Sequence, residues 1–371
     1  MPLLVPTTAV LLLLIAPALV CQSNSTPQTQ ADSAPPARPA SGAAPGRGAD
    51  TSTMTRAAAA EAKSRTLFFY TSPRTVVEME VHSVPDSDAD RLSRLREDFA
   101  SVECGGERMQ EQPVPSKHGA AGTNLICTWP GATPGIIVVA AHYEHEGKGQ
   151  AAVADWSGAA LLPFLYQAIQ GQPRLNTFIF LEAWQRNGAA VWLKSLPRAQ
   201  RKNVRAVIDV DALGLGATRF YTTFSAFETA PPGSAHLQTQ LLWAALDDGL
   251  TKAPEQTSTR HWLAVDGTDP FRAEMIPSIV IHSVPPESEH IPGSANDVAS
   301  AVDGNAYFQT YHLMCAYLAS LDRVAAKLND NDPIWAAGAP ADVQPESETP
   351  RVTFRTFVNG RLAPSSPPAS H

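Results

Sequence analysis

Between about residues 64 and 328, short apolar runs alternate with stretches whose apolar positions recur every three or four residues. The runs TVVEMEVHSV, GTNLICTW, GIIVVAAHY, NTFIFLEAW, VRAVIDVDAL and IPSIVIHSV are rich in β-branched side chains and predict strands. Helical spacing marks DADRLSRLREDFA, SGAALLPFLYQAIQ, AAVWLKSL after Gly188, SAHLQTQLLWAALDDGL and AYFQTYHLMCAYLASLDRVAAKL. Strand and helix in alternation predict an α/β protein of three layers, α/β/α, with a mixed, mostly parallel central sheet. Several strands are apolar almost throughout, as a sheet covered on both faces requires.

The two ends break this pattern. Residues Ala9 to Ala18 (AVLLLLIAPA) are too short to span a bilayer and suit the apolar region of a signal peptide, so residues 1–21 are read as an export signal. Cys21 directly after APALV also fits a lipid-anchored cysteine, which would tether the chain to a membrane without a spanning helix. Residues 22–63 are Ser, Thr, Pro, Ala, Gln and Gly with scarcely an aliphatic side chain, too little apolar surface to offset the entropy of ordering. The domain organisation is therefore a signal at 1–21, a linker at 22–63, one folded domain at 64–328 and a Pro-rich tail at 329–371. Within that tail VTFRTFVNGRL can add a short strand or hairpin.

Composition narrows the function. The chain of 371 residues is 44% hydrophobic, enough for a core, and its net charge of −8 comes without a basic stripe or lysine-interleaved aromatics, which argues against a nucleic-acid partner. A peptide or small molecule is the expected ligand, and Cys21 is the only expected membrane contact. In an oxidising compartment Cys104 and Cys127 can pair across the loop between them, leaving Cys315 as a buried thiol on a helix. No Gly-x-Ser-x-Gly elbow or phosphate-binding glycine loop is present, and Ser157 in WSGAALL reads as a helix N-cap.

Ligands of open α/β sheets sit outside the carboxyl ends of the strands. Candidate chemistry collects there: His142, Glu144 and His145 follow one strand, Gln185 and Arg186 another, Asp209 and Asp211 end a third and His290 follows a fourth.

These motifs resemble the zinc exopeptidases of peptidase clan MH, peptidase family twenty-eight, the group of secreted bacterial leucyl aminopeptidases and glutamate carboxypeptidase-type enzymes. The likeness runs from about Arg65 to Leu328 and rests on GTNLICTWPG, VVAAHYEH, SGAALL, FIFLEAW followed by NGAAVWL, VIDVDALG, DGTDPF and IPSIVIHS, in that order. It implies the phosphorylase/aminopeptidase-like fold and a pair of zinc ions sharing a bridging aspartate, with a glutamate as general base. Two dications about 3.5–4 Å apart need several anionic ligands, which explains the residue types.

Carried over one position at a time, the resemblance makes His142 and Asp211 metal ligands, His290 the last histidine and Glu144 the acid that orients His142. His282 is the substitute for His290 and reads more simply as a structural histidine. The bridging aspartate falls on Ala154, with Asp155 one residue late. The paired glutamates fall on Gln185 and Arg186, of which one has no basic pKa near neutrality and the other no lone pair for a metal. Glu182 is the nearest carboxylate to that pair, and strand alternation decides whether it points toward the site.

The retained set admits one zinc rather than two, and no metal at all is equally compatible with it. Two functions follow. The first is an exported pseudo-peptidase, impaired in catalysis and acting as a binding module. The second is an active zinc exopeptidase, or a single-zinc hydrolase or cyclase, using relocated ligands such as Asp155.

Overall fold

A computed structural model describes residues 66–115, 121–145, 147–222, 229–247, 253–257, 267–324, 351–358 and 361–362. The export signal, Cys21 and the linker at 22–63 lie outside the described residues.

Strand β1 (Thr66–Thr71) leads into helices α1 (Arg74–His82) and α2 (Asp88–Ser101), then β2 (Met109–Val114), β3 (Gly122–Trp129) and β4 (Ile136–His142). A π-helical turn (Ala152–Trp156) runs into α3 (Ser157–Ala159) and α4 (Leu162–Ala168). Then come β5 (Thr177–Ala183), α5 (Gln185–Ser195), α6 (Arg198–Arg201), β6 (Val204–Val210), β7 (Arg219–Tyr221) and α7 (Ser234–Asp247). The chain continues through β8 (Glu255–Gln256), α8 (Asp269–Ala273), β9 (Ser278–His282) and α9 (Gly304–Val324) to β10 (Arg351–Val358) and β11 (Arg361–Leu362).

Eight strands form the main sheet in the order β2-β3-β5-β4-β6-β9-β7-β8. Its centre, β5-β4-β6-β9, is parallel throughout, whereas β2, β3 and β7 pair antiparallel with their inner neighbours. Ile137, Val139 and Ala141 of β4 face a large core shared with Leu95 and Phe99 of α2, Leu165 of α4, Leu241 of α7 and Met314 of α9. Val138 and Ala140 face the opposite side, where Trp192 and Leu193 of α5 and Phe271 of α8 close the third layer. The mixed, mostly parallel sheet with helices on both faces is the architecture that the alternating pattern predicts.

One predicted strand is a helix. TVVEMEVHSV has strand-like composition, yet Arg74–His82 is α1, burying Val77, Glu80 and Val81. Those positions are three and four apart, so the burial period overrides β-branched propensity. The C-terminal strand β10 pairs parallel with β1, Thr66 opposite Arg351, and turns into β11.

At the amino end of β5 a buried polar lock joins the last helix to the sheet. Asp322 on α9 accepts hydrogen bonds from the Leu175 and Asn176 N–H groups at 3.0 and 2.8 Å and from Asn176 Nδ2 at 3.1 Å. Burial pulls the neighbouring Arg174 guanidinium down to about 10, and Asp322 opposes that shift. Replacing Asp322→Ala leaves two buried N–H donors without their acceptor and removes the charge that offsets the burial of Arg174. An urea titration should show a loss of about 3–5 kcal/mol, with Asp322→Asn losing less.

Candidate functional site

The four parallel strands end together, bringing His142, Ala183, Val210 and His282 to one edge of the sheet. Small side chains let the loops close over this edge. A Cβ on Gly158 would stand 2.1 Å from the Val210 carbonyl oxygen, and one on Gly188 would stand 2.4 Å from Asn124 Oδ1. Glycine alone permits the start of the α3–α4 segment to rest on β6 and α5 to rest on β3.

His142 is the last residue of β4, opposite Ala183, and is half-buried. Glu144 is buried two residues on, and His145 is exposed, its N–H donated to Asp88 Oδ1 at 2.7 Å. Asp209 is buried within β6 and accepts the Gly267 N–H at 2.8 Å, while Asp211 is buried just beyond the strand, its N–H on the Ile281 carbonyl at 2.9 Å. Gln185 heads α5 and is half-buried; Arg186 follows it, and its side chain lies outside the described residues.

The loop between β9 and α9 leaves His290 exposed. His282 is a structural histidine: Nδ1 accepts the Val284 N–H at 3.2 Å, so Nε2 carries the proton and donates to Thr257 Oγ1 at 3.1 Å. Glu182 alternates with Phe178 and Phe180 into the larger core, on the face opposite His142. Its carboxyl is fully buried without a hydrogen-bond partner, and burial first, then the charge of Asp98, raises its pKa well above the ordinary value. It therefore belongs to the core rather than to the strand-end site.

Ala154 and Asp155 sit in the π-helical turn, both half-buried. The Ala154 N–H points at Asp297 Oδ2 (3.2 Å), and the same buried carboxylate accepts from Val153 (2.6 Å) and Gly293 (2.8 Å). Ser157 does not cap a helix. Its hydroxyl donates to the Val153 carbonyl at 2.7 Å and accepts the Leu213 N–H at 2.8 Å, tying the turn to the loop after Asp211. Trp156, Trp184 and Trp192 are core, and Trp243 is half-buried.

A residue without any sequence motif organises this edge. Arg91 on α2 is fully buried and donates to the carbonyls of Pro85 (3.3 Å), Tyr143 (3.1 Å), Glu144 (2.9 Å) and Gln150 (2.5 Å). Its guanidinium lies over the Trp156 ring, 5.8 Å from the centroid. Burial lowers its pKa, and Asp155, Asp88, Glu144 and Asp297 oppose that shift. The acids of the edge thus surround a cation that the chain itself supplies. A signal for it exists in the sequence, because Arg91 shares the apolar face of α2 with Leu92, Leu95 and Phe99. Asp297, in a loop of small polar residues, has no such signal.

Three residues on this edge, Ala151 (φ 46°), Gln185 (φ 55°) and Ala212 (φ 47°), are left-handed without being glycine. Each costs about 1–2 kcal/mol, and such strain persists where the surrounding packing fixes the backbone. Among the described residues, no three His, Cys, Asp or Glu side chains gather closely enough to hold a metal ion. His142, Asp211 and His290 occupy neighbouring loops of one edge without forming a coordination sphere.

Two outcomes follow. Arg91→Met should cost about 3–5 kcal/mol and open the exposed Lys148, inside the 143–150 loop, to trypsin while leaving cleavage at Arg198 and Lys202 unchanged. Because the folded pKa of Glu182 is raised, its carboxyl costs nothing below the unfolded pKa and weighs against folding as pH rises above it. Melting curves of Glu182→Gln should therefore show a gain over wild type at pH 8 that vanishes at pH 4.

The profile of Peptidase family M28 matches residues 124–327. No curated protein matches the chain in sequence. Among solved structures, the Legionella pneumophila LapA aminopeptidase superposes with a TM-score of 0.53 at 15% identity, over 73% of this chain and 75% of its own. The Porphyromonas gingivalis glutaminyl cyclase gives 0.52 at 15% identity, over 66% and 96%. A zinc aminopeptidase from Bacillus subtilis gives 0.46 at 16% identity over 53% of this chain, which spans about half, 49%, of that enzyme. At these identities the likeness is one of fold. With more than half of its length matched by the family profile, this chain belongs to peptidase family M28.

Proposed function

We propose that this chain is an exported member of family M28 that binds a peptide or small-molecule ligand at the carboxyl edge of its sheet without hydrolysing it. One observation carries the reading. The described His, Cys, Asp and Glu side chains do not assemble a metal-binding group, and at the position of the bridging carboxylate stands Ala154, whose N–H is turned toward Asp297. The residues therefore do not fit the family's zinc pair. His142, Glu144, Asp155, Gln185 and Asp211 remain as hydrogen-bonding groups for a ligand, on a backbone whose left-handed turns keep them in place.

Export is supported by the apolar Ala9–Ala18 segment and by the Cys104–Cys127 disulfide, with Cα atoms 6.3 Å apart, since such bonds persist in oxidising compartments. Among the described residues no helix is long and apolar enough to cross a membrane. A lipid on Cys21 would add an anchor outside the folded domain.

Elemental analysis of purified protein should find no stoichiometric zinc, and aminoacyl-nitroanilides should bind, by calorimetry, without turnover. Zinc in stoichiometric amount together with hydrolysis would replace this reading by that of an active exopeptidase, or a single-zinc hydrolase or cyclase, with Asp155 as relocated ligand. Installing Ala154→Asp, Gln185→Glu and Arg186→Glu together should raise zinc affinity by at least about tenfold, because three anionic oxygen donors then stand beside His142 and Asp211.

A further inference from the structure

At the opposite, amino-terminal edge of the sheet a cavity of about 350 Å³ lies between α6 and the turn before β9. Its floor is apolar, made by Val204, Ile276 and Pro277. Its rim carries Arg198, Arg201 and Lys202 against one carboxylate, Glu274, in a chain whose net charge is −8.

Arg201 Nη1 reaches Glu274 Oε1 at 2.8 Å and joins the two walls, while Arg201 Nε is buried without a hydrogen-bond partner. Arg198 and Lys202 are exposed and make no ion pair among the described residues. Met275, left-handed (φ 58°), closes the carboxyl end of α8, its N–H on the Arg272 carbonyl at 2.9 Å and the following Ile276 N–H on the Phe271 carbonyl at 3.0 Å, and it is 57% exposed. The exposed, adaptable thioether stands on the rim of a concave surface, where it can pack against an apolar group of a ligand. The volume falls within the range of about 300–1,000 Å³ typical of small-molecule pockets.

We propose that this cavity binds an anionic amphiphile, a carboxylate or phosphate head held by Arg198 and Lys202 with a short apolar chain laid on Val204, Ile276 and Met275. The two charge classes divide the work: the cations neutralise the head, and the floor distinguishes the ligand from a simple inorganic anion. The site is separate from the strand-end edge, so it stands or falls independently of whether that edge binds peptides.

Calorimetric titration of the full chain with octanoate and with octyl phosphate, both kept monomeric, tests the assignment. Saturable binding of either is expected, and the preferred head identifies the source as a fatty acid or a phosphate ester. Arg198→Gln/Lys202→Gln and Met275→Ser should each weaken it by at least about tenfold with unchanged melting temperature, since all three side chains are exposed. Inorganic phosphate and octanol should bind far more weakly. Absence of saturable binding, equal binding of octanol or phosphate, or undiminished binding by the double variant would overturn the proposal. So would binding to phosphatidylglycerol vesicles without binding to either monomeric amphiphile.

Discussion

A guanidinium buried beneath the carboxyl edge of the sheet sets the terms for everything around it. Arg91 spends its hydrogen bonds on four main-chain carbonyls, of Pro85, Tyr143, Glu144 and Gln150, so it holds both ends of the loop after β4 while giving no direct bond to an acid. Its charge is balanced at longer range by Asp155, Asp88, Glu144 and Asp297. Acidic residues can be gathered in a low-dielectric corner only if a cation is present. Here one such cation, Arg91, is covalently part of the chain.

The neighbouring interactions extend this arrangement across the edge. Asp88, beside Arg91 on α2, accepts the His145 N–H, and Asp297 gathers three N–H groups from two loops. Gln150 adds a further link, its N–H on the Asp297 carbonyl and its Oε1 on the Ala299 N–H. The loops that follow β4 and β9 are therefore one connected body, although more than a hundred residues separate them in sequence. At the end of β5 Gln185 heads α5 on a left-handed backbone (φ 55°).

Much of this is legible in the sequence, for reasons particular to each element. The central strands announce themselves because both of their faces are buried, α2 because one face is, and α9 because it is a long apolar stretch buried all round in its second half. α1 is misread since Val76, Val77 and Val81 carry strand propensity while burial follows the period of a helix. The edge strands β2 and β8 escape notice because they are largely polar, and β7 because it is three residues long. At the site, the places of His142 and Asp211 at strand ends can be read from the apolar runs that precede them. The roles of Arg91 and Asp297 cannot, since their partners are main-chain atoms, which carry no residue identity. The direction of Glu182 follows from strand alternation once Phe178 and Phe180 are known to face the larger core.

The hydrogen bonds of Asp297 bear on what side chain residue 154 can carry. The Ala154 N–H already serves that carboxylate, and Arg91 already offsets it, so a new acid at residue 154 would enter a corner whose charges are in balance. It would have to be repelled, protonated or matched by a metal before it could help. The effect of any substitution at residue 154 is thus set by Asp297 and Arg91, a dependence between neighbouring sites.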